Sequence, residues 1–349
     1  QDLHISLGQL HAWLPHSRLV GDPSLLVSRI HTDSRNLVKG DLFVALKGDR
    51  FDGNQFAVQA IEQGARIVIV DSDALKSDSR FVYVENSLTA LQELAKHHFA
   101  QMPCKKIIVG GSNGKTTTKE VSRTVLSAAG ITLATPGNWN NHIGVPLTLL
   151  SVTPAHEYAI IELGTNHPGE MKVLCDLISP DAGIITNIGK EHLEGFGDIE
   201  TVAKEESEVY LRLMSNHGLA IVNIDDDWLN SMKKRLNNQL TISTLNKEAD
   251  FFAQIHEEMP LLTFDLYHQQ VLVGSFSSSL SGRYNAYNLL FGTALGVSYG
   301  LNAAESMSLA CQYVPSNNRS EWRTINGIQI FLDAYNANPS SMSFAIQSF

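Results

Sequence analysis

The stretch Gly110-Gly-Ser-Asn-Gly-Lys-Thr-Thr-Thr-Lys-Glu120 decides how this chain is read. Before it stands Lys105-Lys-Ile-Ile-Val109, a short β-branched run that predicts a buried strand, and after it Val121 to Ala129 carries apolar residues at helical spacing. A strand, a Gly-rich turn containing Gly-Lys-Thr and then a helix form a cradle for nucleotide phosphates. The glycines let backbone N–H groups approach phosphate oxygens, and the helix N-terminus adds its partial positive charge. Lys115 is placed to reach the β- and γ-phosphates and the Thr116 hydroxyl to take a Mg²⁺ position. The spacing is shorter than the common phosphate loop, because Val109 stands where its first glycine falls. What remains is Gly111-Ser112-Asn113-Gly114-Lys115-Thr116, with Thr117 next in the turn.

The rest of the composition narrows the context. A chain of 349 residues has room for two or three domains, each with its own core. At 43% hydrophobic and 18% charged it reads as a soluble globular protein, and a net charge of -10 argues against non-specific nucleic-acid binding. Any polyanionic substrate must then be held by local groups. Cys104, Cys175 and Cys311 are far apart, without metal or redox spacing, which predicts reduced thiols in a cytosolic protein. No apolar run reaches the length of a membrane span, and no signal peptide is visible. The first residue is Gln1 rather than Met, so a trimmed chain is expected.

Working outward, residues 1–102 read as a first domain. His31-Thr-Asp-Ser-Arg35 precedes Gly40-Asp-Leu-Phe-Val-Ala-Leu-Lys-Gly48, a strand ending in a Gly turn, and Ala65-Arg-Ile-Val-Ile-Val70 is another buried strand. A helix over 88–100 leads through Met102-Pro103 into the phosphate-loop strand. Residues 103–315 read as a second domain. Tyr158–Leu163, Ala182–Ile188 and Leu219–Asn223 are near-continuous apolar runs, as expected of parallel strands covered on both faces. Helical patterns alternate with them, which predicts a doubly wound α/β sheet with ligands at the carboxyl ends of its strands. Phe251 to Phe276 alternates more and predicts an antiparallel extension, and Tyr284 to Tyr299 a long helix. At 316–349 a third α/β domain opens, with a strand at Gly327–Leu332, Asp333-Ala-Tyr-Asn-Ala-Asn-Pro339 and the start of a helix.

Several strand-end residues carry candidate chemistry. Glu162 ends its strand beside the phosphate loop, where a nucleotide-bound Mg²⁺ needs a carboxylate. A buried strand has little other use for an unpaired acid. His192, in Asn187–Gly197, fits a metal ligand or a phosphate contact, with a solvated loop histidine as the lesser alternative. Lys204, Glu205, Glu206 and Glu208 lie on a helix predicted over 201–213, by default a solvated face. Thr135-Pro-Gly-Asn-Trp-Asn-Asn-His142 is too rich in amides to be only a linker and suggests recognition of a polar ligand. Asn285 and Asn288 share a face at the start of their helix, either to read a base or to cap.

Taken together, these stretches resemble the Mur ligases of peptidoglycan synthesis. The resemblance covers nearly the whole chain and is carried by Gly111–Glu120, Thr135–Thr148, Glu162–Glu170, Glu191–Gly197 and Asp333–Met342. Within the family it points to the members that join D-alanyl-D-alanine to UDP-N-acetylmuramoyl-tripeptide, and the short phosphate loop is the family's own form. The resemblance implies a cytoplasmic, monomeric ligase with ATP and Mg²⁺. ATP phosphorylates the tripeptide carboxylate, and the D-Ala-D-Ala amine attacks the acyl phosphate. It further implies that Lys115, Thr116 and Glu162 serve the nucleotide and one Mg²⁺, and that His192 holds a second. Asn285 and Asn288 would contact adenine, Arg319 a nucleotide phosphate, and Asp333 with Asn336 the ribose and nucleotide. Ser34 and Arg35 would lie near uridine, while Asn138, Asn141, His142, Thr165, Asn166 and His167 would line the muramoyl side.

One position departs from the family pattern. By the same resemblance many relatives carry a carbamoylated lysine four residues before an aromatic, and four before Tyr210 stands Glu206, whose carboxylate would replace the carbamate charge. Relatives also continue for roughly a hundred residues more by the same resemblance. Residues 1–349 are therefore expected to fold and to bind the UDP-muramoyl substrate, but to hold ATP weakly and ligate negligibly. Competing readings are another amide ligase of the superfamily, such as a different Mur ligase or folylpolyglutamate synthetase, and a non-catalytic UDP-sugar-binding or regulatory relative. A generic phosphate-loop kinase leaves the Thr135–His142 turn unexplained.

Overall fold

The computed structural model describes residues 5–14, 16–17, 21–48, 51–189, 193–315, 321–332 and Met342, Ser343 and Ile346. The chain packs as two compact units, one of residues 1–102 with 142–153 and the other of residues 103–141 with 154–349. Residues 142–153, which the linear reading puts in the second domain, thus pack with the first.

In the first unit, apolar runs make a parallel four-stranded sheet in the order Ile30–His31, Leu42–Val44, Ile67–Val70, Val82–Tyr83. Its two central strands are fully buried, and Phe43, Ala57, Ala60, Val68 and Phe81 form the core against them. The Ser87–Ala100 helix begins with the Asn86 side chain accepting from Thr89 N and packs its Leu91 and Leu94 face with the helix Gly144–Leu150. Directly before the strand Leu42–Val44, Asp41 is fully buried, as a carboxylate must not be without partners. It accepts from Arg29 Nη2 at 2.8 Å and from Val38 N at 2.9 Å. His31 stands 3.4 Å from the same carboxylate, and burial pulls its pKa below the usual imidazole value.

The second unit is built on a nine-stranded sheet. Its order is Thr132–Ala134, Tyr158–Glu162, Lys105–Gly110, Ala182–Ile185, Leu219–Asn223, Gln239–Ser243, Phe251–Glu257, Leu262–His268, Val271–Ser278. The pairings are parallel as far as Phe251–Glu257, and the last three strands are antiparallel, as their alternating pattern predicts. Later strands are added on both sides of Lys105–Gly110, so the order reverses at the phosphate-loop strand. Such a reversal opens a crevice at the carboxyl ends of the strands.

One face of this sheet is covered by the helices Lys115–Leu126, Arg283–Ser298 and Ala303–Ala310, whose Val121, Val125, Leu289, Leu290, Phe291 and Leu295 are fully buried. A hairpin of Glu321–Ile325 with Ile328–Leu332 stands apart from the large sheet, and its Trp322 Nε1 donates at 2.8 Å to Ser281 Oγ, in the connection between that sheet's last strand and the helix Arg283–Ser298. Phe264 is buried between the antiparallel strands and this helical layer. Phe264→Ala is expected to cost roughly 3–5 kcal/mol through lost transfer energy and a residual cavity. Denaturant unfolding followed at two wavelengths checks this, and a loss below about 1 kcal/mol would mean the extension does not share the core. Among the described residues, no helix is long and apolar enough to cross a membrane.

Candidate functional site

Three adjacent strands deliver their ends to one point. In the register, Glu162 lies opposite Val109 on one side and Ile185 opposite Gly110 on the other. From Gly110 the chain curls through Gly111, at φ +108°, and Gly114, at φ +84°, into the N-terminus of the helix Lys115–Leu126. A Cβ on Gly111 would stand 2.6 Å from Thr186 N and closer still to its Oγ1, so only glycine passes there. The curl is fastened from the side. Asn113 N donates to Asn187 Oδ1 at 3.2 Å, Asn187 Nδ2 to Asn113 O at 2.9 Å, and Gly189 N to Ser112 Oγ at 2.8 Å. Lys115 Nζ turns back into the curl and donates to Gly111 O at 2.5 Å and Ser112 O at 3.1 Å. A cation and a helix N-terminus thus converge where a phosphate chain would lie. Gly111→Ala is expected to abolish nucleotide binding, read as loss of a thermal shift with ADP that the unsubstituted protein is expected to show. A retained shift would show that the loop tolerates a side chain.

Glu162 is 1% exposed and its two oxygens are treated differently. Its Oε1 accepts from Thr116 Oγ1 at 3.1 Å and from Asn140 Nδ2 at 2.9 Å. Among the described residues its Oε2 is buried without a hydrogen-bond partner, and it lies 3.5 Å from Lys119 Nζ, close enough for an ion pair. Lys119 is fully buried and also donates to Thr135 O at 2.7 Å and Gly137 O at 3.1 Å. Neither Lys119 nor Asn140 stands out in the sequence as a site residue. Asn140 is masked by two neighbouring asparagines, and Lys119 by its place one helical turn after Lys115.

The helix Ile199–Asn216 corrects the expectation of a solvated charged face. Glu205 and Glu206 are buried, at 6% and 2% exposed, while Lys204 is exposed. Glu206 Oε2 accepts from Gly111 N at 2.6 Å, a charge-assisted bond to the phosphate loop itself. Glu205 accepts from Gly169 N at 2.8 Å and Met171 N at 2.6 Å, satisfying the start of the helix Glu170–Asp176. A charge run reads as solvated only until a neighbouring backbone offers N–H groups to it.

Asn285 and Asn288 are buried at the base of the loop. Asn288 Nδ2 donates to Asn285 Oδ1 at 2.8 Å, Asn288 Oδ1 accepts from Thr118 Oγ1 at 2.9 Å, and Asn285 Nδ2 donates to Ser281 O at 2.7 Å. The helix N-cap is Gly282 with no side-chain cap bond, so neither asparagine caps it. They link the long helix to the phosphate-loop helix. Thr165 is buried in the turn after the strand Tyr158–Glu162, and exposed Asn166 and His167 donate backbone N–H bonds to Glu170. Asn138 and Asn141 are exposed in the amide turn of the same unit, beside Trp139 at 50% exposure. His142 belongs to the other unit, where its carbonyl accepts from Gln92. Ser34 and Arg35 also lie there, in a short helix capped by Asp33. Hydrogen bonds from Arg35 hold the Asp33 carboxyl down at about 2. His192, Arg319, Asp333 and Asn336 lie outside the described residues.

The donor set at the mouth of the loop fits a hard divalent cation. The Thr116 hydroxyl and the Glu162 carboxylate are oxygen ligands of the kind Mg²⁺ takes. Among the described residues, no cluster of three or more His, Cys, Asp or Glu is arranged to hold a metal. A cation here would therefore draw its remaining ligands from a nucleotide and water, as Mg²⁺ does.

A phosphate loop at the reversal point of a doubly wound sheet, with an acid on the neighbouring strand end, defines a nucleotide-binding α/β protein. The family model of the Mur ligase middle domain matches residues 109–296, and that of the Mur ligase family, catalytic domain, matches residues 26–99. The chain belongs to the Mur ligase family. It is 39% identical over 331 residues to the UDP-N-acetylmuramoyl-tripeptide--D-alanyl-D-alanine ligase of Escherichia coli (strain K12), covering 93% of this chain and 72% of that protein. The crystal structure of MurF from Acinetobacter baumannii superposes with a TM-score of 0.88 at 31% identity, over 98% of this chain and 76% of that one. MurF of Thermotoga maritima, solved in complex with ADP, gives 0.83 at 27% identity, over 92% and 74%.

Proposed function

We propose that this protein joins D-alanyl-D-alanine to UDP-N-acetylmuramoyl-tripeptide at the expense of ATP, in the cytoplasm, as a monomer. The observation that carries the reading is the Thr116–Glu162 hydrogen bond of 3.1 Å at the mouth of a phosphate loop, in a chain 39% identical to a ligase of that name. We assign residues 1–102, with 142–153 packed in the same unit, to the UDP-muramoyl substrate, the rest of 103–315 to ATP, and 316–349 to a third domain.

The terminal carboxylate of the tripeptide attacks the γ-phosphorus of ATP, the bond to the β-γ bridging oxygen breaks, and ADP leaves. The resulting acyl phosphate is attacked by the amine of D-alanyl-D-alanine. The tetrahedral intermediate expels inorganic phosphate, and the amine proton passes to solvent or phosphate. Two anions must meet in the first step, so the site has to supply positive charge. Lys115 supplies one such charge on the transferring phosphoryl, and the loop N–H groups and helix N-terminus add to it. Thr116 and Glu162 would hold a Mg²⁺ ion, which supplies Lewis-acid neutralisation of phosphate charge when bound. His192 is assigned to a second cation beside the substrate carboxylate, and Glu206 to the place of the family's carbamate.

Asn285 and Asn288 are assigned to the adenine side, with Arg319, Asp333 and Asn336 completing the nucleotide contacts. Ser34 and Arg35 are assigned to the uridine end, and Asn138, Asn141, His142, Thr165, Asn166 and His167 to the muramoyl peptide. The test is phosphate release by the full-length protein with ATP, Mg²⁺, UDP-N-acetylmuramoyl-tripeptide and D-alanyl-D-alanine. Release that needs both substrates supports the reading. Release with another amino acid in place of the dipeptide, or with folate, would replace it.

A further inference from the structure

The two oxygens of Glu162 face different surroundings, and Lys119 makes the difference. Oε1 lies on the side of Thr116, Asn140 and the phosphate loop. Among the described residues Oε2 is sealed from solvent with no hydrogen-bond donor of its own, and the fully buried Lys119 ammonium stands 3.5 Å behind it. That ammonium is pinned by Thr135 O at 2.7 Å and Gly137 O at 3.1 Å and is 3.1 Å from Glu120 Oε1. A cation reaching Oε2 would have to displace a buried lysine that has three other oxygens around it. The Glu162 backbone is fixed as well, since its N–H donates to Thr135 Oγ1 at 2.9 Å in the same turn.

We propose that Lys119 is a positioning residue that restricts Glu162 to one metal-facing oxygen, so that the nucleotide site favours Mg²⁺ over Ca²⁺. Mg²⁺ accepts single carboxylate oxygens in a tight octahedron and keeps several waters. Ca²⁺ takes six to eight oxygens and often draws both from one carboxylate. A glutamate held to one oxygen withholds the bidentate contact that favours the larger ion. The inference rests on the reading of Thr116 and Glu162 as the ligands of a nucleotide-bound cation.

The test measures ADP affinity of the full-length protein by calorimetry without divalent ions, with Mg²⁺, and with Ca²⁺. In the unsubstituted protein, Mg²⁺ is expected to tighten ADP binding about tenfold more than Ca²⁺ does, because only the larger ion loses its bidentate carboxylate. Lys119→Met removes the charge at similar length, and is expected to bring the two ions within about threefold while leaving metal-free ADP affinity unchanged. Lys119→Arg keeps the charge and is expected to keep the preference. A merely structural role would weaken ADP binding equally in all three conditions. Equal support by both ions in the unsubstituted protein overturns the inference even if the variants fail to fold, and so does an unchanged preference in a folded Lys119→Met. If neither ion affects ADP binding, the assignment of Thr116 and Glu162 to a cation fails instead.

Discussion

Lys115→Ala is expected to lower ATP-dependent ligation by on the order of 10²–10³ in kcat while the protein stays folded. The rate falls because phosphoryl transfer between two anions depends on fixed positive charge aimed at the group in flight, and a truncated lysine leaves that charge to water. The fold is expected to survive because the bonds Lys115 Nζ makes to Gly111 O and Ser112 O are not the main hold on the loop's path. The path is set by Gly111 and Gly114 and fastened by Asn113 with Asn187 and by Ser112 with Gly189. Phosphate-release kinetics beside a thermal unfolding curve decide the matter. Near-normal turnover removes Lys115 from the site, and an unfolded variant refutes the claim that the glycines and asparagines hold the loop.

Removal of Glu206 should also be damaging, for a different reason. Its carboxylate is the acceptor for Gly111 N at 2.6 Å, in a place 2% exposed. Glu206→Ala leaves a buried N–H without that acceptor, a loss of about 1–3 kcal/mol in stability, and frees the loop that must hold the phosphates. A fall in kcat of at least about tenfold is expected, by the same energy scale. Glu206→Gln keeps an acceptor oxygen and should recover much of the stability, yet not the rate, if the negative charge belongs to the chemistry. Lys204→Ala should be nearly neutral, since that side chain is exposed two residues away on the helix. Added bicarbonate should change nothing. Rescue of a CO₂-depleted preparation by bicarbonate, or a damaging Lys204→Ala, overturns the assignment of Glu206.

The parts of this molecule legible in its sequence are those set by local chemistry. Lys105–Gly110, Tyr158–Glu162, Ala182–Ile185 and Leu219–Asn223 form where uninterrupted β-branched runs call for strands buried on both faces. The loop forms where two glycines permit positive φ. What sequence could not disclose depends on partners far along the chain. Glu206 bonds to a backbone 95 positions away, and Asn140 to a carboxylate 22 away. No periodicity distinguishes a buried acid facing loop amides from one facing water. The same holds for Lys119, whose burial follows from the carbonyls of the 135–137 turn lying within its reach.

The helix Gly144–Leu150 bears on how this protein can be cut and recombined. It lies in sequence between two parts of one unit, yet it packs its buried Val145 and Leu149 in the other. His98 Nε2 and Val152 O, 2.8 Å apart, hold its far end. The polypeptide therefore passes between the units three times, after residues 102, 141 and 153. A fragment ending at 102 would lose the cover over Leu91 and Leu94, and one starting at 103 would carry an apolar helix with nothing to bury it. Chimeras that exchange substrate specificity between relatives must accordingly transplant 142–153 together with 1–102. Lineages that diverge at one of these segments must change the other in step, so the boundary along which such enzymes can be recombined is a noncontiguous one.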